Sequence, residues 1–213
     1  MNRRSVLLVM TLSLCLAFLP PALFAAEPGS IIDFEGAEFG AAVPRWVLDV
    51  DAGDYKRLKK DMRLAAEVKV WIVPVKGATL DFASAWIDSM DIVSLVVTDV
   101  QKAALEAIAA EPKLSPEEKG RLTTGVSEEM QYLSVNGLEK NTAFWLSRQQ
   151  DDGVEYTYYA VFTMRKDVWS RQVAALLENI EGLPPRVAKN AAAAVNGITV
   201  IADASDSFER DLY

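Results

Sequence analysis

The chain has 213 residues, with 22 Lys and Arg against 30 Asp and Glu, no histidine, and a single cysteine, Cys15. Without histidine there is no Ser-His-Asp or Cys-His catalysis, and with one cysteine in the leader there is no thiol pair or structural zinc site to build. A formal charge of −8 sets the surface against nucleic acid phosphates.

Proton transfer would fall to Asp, Glu, Lys or Tyr, whose ordinary pKa values lie far from neutrality. A non-enzymatic protein is therefore expected, with no cofactor and no metal. The acidic turns "DAGD" and "QQDDG" lack the spacing of a calcium loop and read as turn chemistry.

At the N-terminus, Arg3 and Arg4 precede an apolar run from Val6 to Leu19, followed by Pro20, Pro21 and small residues at Ala25 and Ala26. This pattern predicts an export signal spanning residues 1–25, removed after Ala25. The run falls short of the roughly 20 residues that cross a bilayer, so no transmembrane span is expected in the mature chain. Lipid attachment at Cys15 is the alternative, opposed by Leu14, which stands where a small residue belongs. Removal would take two arginines and no acid, leaving 20 basic and 30 acidic side chains and a formal charge of −10. A single α+β domain is expected over 26–182, with 183–213 a partly ordered extension.

Val43–Val50 reads as extended structure ending at "DAGD". Next, "YKRLKKDMRLAAEVKVWIVPVKG" predicts a short helix feeding a strand, with alternation at Val68, Val70 and Ile72. Lys56, Arg57, Lys59 and Lys60 cluster on the helical part. They read as a solvated face that offsets the acidic surface, or as a site for an anionic partner.

Asp81–Glu111 contains no Gly or Pro and keeps helical apolar spacing, so a long helix is expected. Its β-branched middle, "IVSLVVTDV", allows a break near Ser89–Asp91, or a strand, as the alternative. Pro112 ends it. Ser115, Pro116 and Glu118 then form a capping-box signature for a second helix, weakened at Gly120 and Gly125.

From Thr142 the period becomes two, and Asp152-Gly153 predicts a two-residue hairpin turn. That register sets Trp145 opposite Ala160 and Ser147 opposite Tyr158, large against small, as on a packed face. The second face, with Phe144, Leu146, Tyr159 and Val161, is mixed and open to another helix or another protein. These four residues, with Lys56, Arg57, Lys59 and Lys60, are the candidate partner-binding residues. Helical spacing returns at Val168, Val173, Leu176, Leu177 and Ile180. The end reads as a helix, a turn at Asn196-Gly197 and a short strand "ITVIA".

The "PRWV" segment, the long Ala/Val helix and "NGLEKNTAFWLSRQQDDGVEYTYYAVFTMRKDVW" resemble the bacterial family of small membrane-associated lipoproteins related to the flagellar proteins FlgP and FlgT. In that family a Trp-containing strand precedes a long helix, and a Trp-, Gly- and Tyr-bearing hairpin lies near the end. Trp46, Trp145, Gly153, Tyr156, Tyr158 and Tyr159 occupy comparable places, over roughly Val43 to Asn179. The resemblance implies helices against an antiparallel sheet, used as an assembly or adaptor module in the cell envelope, around flagellar or secretion machinery. Cys15 departs from the family's lipid-bearing cysteine, which favours a periplasmic protein, with peripheral association with the outer membrane as the alternative. The expected partners are envelope proteins, and self-association stays open. The competing reading is a periplasmic small-molecule or glycan-binding protein that exposes Trp145, Tyr156 and Tyr158.

Overall fold

The structure, a computed structural model, describes residues 27–133 and 135–201. The leader, its cleavage site, Cys15 and the last residues of the tail lie outside them. Strand β2 (Val68–Gly77) sets the architecture. Trp71, Val73 and Val75 point to one side and Val70 and Ile72 to the other, and all five are fully buried. A strand apolar on both faces needs cover on both faces.

It lies between β4 (Gly153–Arg165), antiparallel, and the three-residue β5 (Ile198–Val200), parallel. β4 pairs with β3 (Glu139–Gln150), and β3 with β1 (Ile31–Phe34), giving the order β1-β3-β4-β2-β5. The fold is α+β around a mixed, mostly antiparallel sheet. Pro74 limits the parallel edge. Ile201 N–H donates to the Ile72 carbonyl at 2.9 Å, and the next rung would need an N–H at position 74. Proline has none, so the ladder stops there while pairing with β4 continues.

On one face, Trp46, Val47 and Val50 of α1 (Arg45–Asp51) and Leu58 of α2 (Leu58–Asp61) pack on Val70, Ile72, Phe144, Leu146, Tyr159 and Val161. The segment Val43–Val50, expected to be extended, is therefore helical from Arg45 onward. Positions 46, 47 and 50 share one side of a helical turn, and burying that side outweighs the β preference of the valines. Trp46 consequently stands on a helix, not on the strand that the family resemblance implied.

The other face carries the larger core, under α3 (Leu80–Ser89), α4 (Ile92–Ala110), α5 (Pro116–Met130), α6 (Lys166–Glu178) and α7 (Pro185–Ala194). The long helix is broken, as the alternative reading allowed. Met90 is extended, and Asp91 caps α4, accepting from Ser94 N–H at 3.2 Å and from Ser94 Oγ at 2.6 Å. The β-branched run stays helical because Ile92, Val96 and Val100 enter the core. Ser115 and Glu118 complete the capping box of α5, at 3.2 and 2.8 Å.

The hairpin departs from its expected register by two residues. Gln150 pairs with Gly153, so the loop is Asp151-Asp152, and Trp145 faces Tyr158, Ser147 faces Tyr156 and Ala143 faces Ala160. Neither aspartate has a positive φ, and the unusual backbone falls on Gly153 at 147°. A slip of two preserves which face each side chain takes and changes only its neighbour. The large-to-small pairing is thereby replaced by a Trp145–Tyr158 pair at the margin of the layer, where both rings are half-buried.

Residues 183–201, the described part of the expected extension, pack into the domain. Val187, Ala191 and Val195 join the main core, and Trp169 Nε1–H donates to the Val195 carbonyl at 3.2 Å. Trp169 also meets Trp71 edge-on, with ring centres 5.0 Å apart. Two substitutions separate a local from a global contribution. In urea titrations Ser115→Ala is expected to lower stability by about 1 kcal/mol, and Trp169→Ala by about 3–5 kcal/mol.

Candidate functional site

The four apolar residues expected to meet a partner meet the chain itself. Phe144, Leu146, Tyr159 and Val161 are buried beneath α1. Trp46 stands edge-on to Phe144 at 6.4 Å and to Tyr159 at 6.1 Å. A carboxylate then locks this cover: the Tyr159 hydroxyl donates to Asp51 Oδ1, and the Arg148 guanidinium pairs with Asp51 Oδ2. Burial, with the Asp51 carboxylate beside it, pushes the Tyr159 hydroxyl well above the ordinary tyrosine range. These four residues are corrected from an open docking face to an interior one.

The basic cluster divides. Lys59 turns inward, where its ammonium donates to the Val68 carbonyl and, at 3.4 Å, to that of Ala66, stapling α2 to the start of β2. Burial, helped by the neighbouring Lys166, pushes it down to about 8. Lys56, Arg57 and Lys60 stay exposed, with Arg57 3.9 Å from Asp61.

A polar network that the sequence reading passed over lies under the sheet edge. Lys69 is 0% exposed and donates to Thr199 Oγ1, which in turn donates to Asp99 Oδ2 at 2.9 Å. Lys69 Nζ is 3.9 Å from Asp99 and 4.8 Å from the centre of the Trp71 ring. Parity was the available signal. Position 69 shares its face with 71, 73 and 75, so a lysine there had to be buried or to end the core. The network joins β2, β5 and α4, and burial holds Lys69 down at about 8 despite Asp99.

Two features open to solvent bear on recognition besides single exposed side chains such as Phe39. The first is aromatic. Trp145 and Tyr156 sit 6.2 Å apart, half-buried on the helix-covered face, with Tyr158 beside them. Phe82 of α3 is 47% exposed and stacks on Trp86 at 6.2 Å. Its ring lies so close over Gly77 that a β-carbon there would come within 2.6 Å, so any larger residue would have to displace the ring. Lys140 closes this region, 5.6 Å from the Tyr158 ring centre and 3.1 Å from Asp88.

The second is a furrow between α5 and α6. Their apolar stripes, Leu122, Val126 and Met130 on one and Trp169, Val173 and Leu177 on the other, both enter the main core. Above them lie adjoining cavities of about 530 and 270 Å³ that share Glu129 and Asn179. Tyr132, 72% exposed, stands at one end.

Among the described residues no three His, Cys, Asp or Glu side chains gather where they could hold a metal ion. The groups with strongly shifted pKa values, Lys59, Lys69 and Tyr159, each spend their polar atoms joining secondary elements. No family model, no curated protein and no solved structure matches the chain.

The buried polar groups have measurable signatures. In the folded state Lys69 and Lys59 release a proton near pH 8, whereas in the unfolded chain they hold it to about 10.5. Between these values the unfolded state binds more protons, so stability rises with pH from about 8 to 10. Above 10 the raised Tyr159 acts in reverse, because the unfolded tyrosine ionises first. Urea midpoints from pH 7 to 10 should show the rise, and Lys69→Met should remove its share of it. Tyr159→Phe deletes a hydrogen bond to a carboxylate and should cost about 1.5–3 kcal/mol at pH 7, read from the same titrations.

Proposed function

We propose that this chain is a non-enzymatic protein of the bacterial periplasm or envelope that works as an assembly or adaptor module through protein–protein contacts. The leader-like N-terminus and the resemblance to flagellum-associated envelope lipoproteins support the compartment and the class of machinery. The observation that carries the reading is a pair of aromatic side chains held out to solvent on ordered backbone. Phe39 is 86% exposed on a 3-10 turn between Gly36 and Gly40, whose φ values of 82° and 72° fix the turn, and Tyr132 is 72% exposed beside the α5–α6 furrow. Large aromatic rings are the anchors around which protein interfaces concentrate their binding energy.

A glycan-binding protein is the second reading, favoured by the half-exposed Trp145–Tyr156 pair and by Phe82, since sugar rings stack on such surfaces.

Photo-crosslinking in intact cells tests both. With a benzophenone amino acid at position 39 or 132, the adaptor reading expects a discrete protein adduct in the envelope fraction. Silence at both positions, together with saturable quenching of tryptophan fluorescence by cell-wall oligosaccharides, would transfer the assignment to the glycan reading.

A further inference from the structure

We infer that the furrow between α5 and α6 is the docking groove for a cationic amphipathic segment of a partner protein, a deepening that rests on the adaptor reading above. The shape comes first. α5 advances about 14 Å from Arg121 to Met130 at 1.5 Å per residue, so the groove accepts roughly three turns of a helix. Its floor is apolar where Leu133, Ala175 and Leu176 meet, and shallow where Gly125 faces Ile180, because a β-carbon on Gly125 would already reach 3.5 Å from the Ile180 side chain.

The occupant's chemistry follows from the rim. Glu128, Glu129 and Glu181 line the larger cavity with Arg121 as the single cation. Some acids of the described surface do find a base, as Asp167 does with Arg165 at 2.9 Å and Glu155 with Lys76 at 3.1 Å. Among the described residues none of these three glutamates has an ion pair, although all three stand over the same opening. An apolar floor with an unneutralised acidic rim fits a segment that lays aliphatic side chains on Leu133 and Leu176 and carries Lys or Arg above them. Tyr132 at the open end supplies the aromatic anchor.

Two synthetic peptides about three helical turns long test this, with the same leucine spacing and either lysine or glutamate at every polar position. Added to the folded, isotope-labelled mature chain, the lysine peptide is expected to shift the amide signals of Gly125, Tyr132, Ala175 and Ile180, and the glutamate peptide is not. Gly125→Leu, which fills the floor, and the double variant Glu128→Lys with Glu181→Lys, which reverses two exposed charges, should each weaken the lysine peptide by roughly tenfold or more. Circular dichroism checks that both fold, and if Gly125→Leu does not, the charge-reversed chain decides. Binding of both peptides alike, shifts mapping to the Trp145–Tyr156 region, an affinity unchanged in the charge-reversed chain, or no binding at all would overturn the assignment. In cells, a crosslinked partner that the charge-reversed chain retains removes the groove and leaves the adaptor reading standing. Loss of every crosslink from the unaltered chain removes the adaptor reading instead.

Discussion

A strand that must be dry on both sides governs this molecule. β2 places Trp71, Val73 and Val75 in one core and Val70 and Ile72 in the other, so neither helical layer can be dispensed with. Burying a side chain of that size contributes about 1.5–3 kcal/mol, and β2 carries five of them. The T-shaped contact of Trp71 with Trp169 brings α6 onto this strand, and Trp169 in turn holds the end of α7 through the Val195 carbonyl. The last helix and the edge strand are thus tied to the centre of the sheet although they come latest in the chain.

The thinner layer has a different fastening. α1 is two turns long and could not persist alone. It stays because Trp46 seats on two rings of the sheet and because Asp51, at its end, receives both the Tyr159 hydroxyl and the Arg148 guanidinium. Lys59 plays the same part for α2 through carbonyls at the start of β2. Charged and hydroxyl groups that might have suggested chemistry are consumed in holding short helices against a sheet. What projects or recedes at the surface is different: Phe39, Tyr132 and the α5–α6 furrow.

Local signals in the sequence carried far where a residue's role depends on its immediate neighbours. The capping box at Ser115 and Glu118 and the interruption before Asp91 both rest on interactions within four residues. The hairpin shows the limit. Period two assigned each side chain to the correct face, but the loop moved to Asp151-Asp152, and with it every cross-strand neighbour shifted by two. Lys69 shows another: its parity was legible, whereas Asp99 and Thr199, which make its burial tolerable, are 30 and 130 positions away.

By itself, then, the sequence determined the class of the fold, most of the element order, the faces of the hairpin and the exclusion of histidine chemistry, because these follow from residue type and short-range spacing. Only the tertiary structure decided that Arg45–Asp51 is helical, that Phe144, Leu146, Tyr159 and Val161 are covered from within, and that α5 and α6 part to leave an acid-rimmed furrow. Each of those outcomes depends on which distant surface competes for the same apolar face, and that competition is settled only when the whole chain has packed.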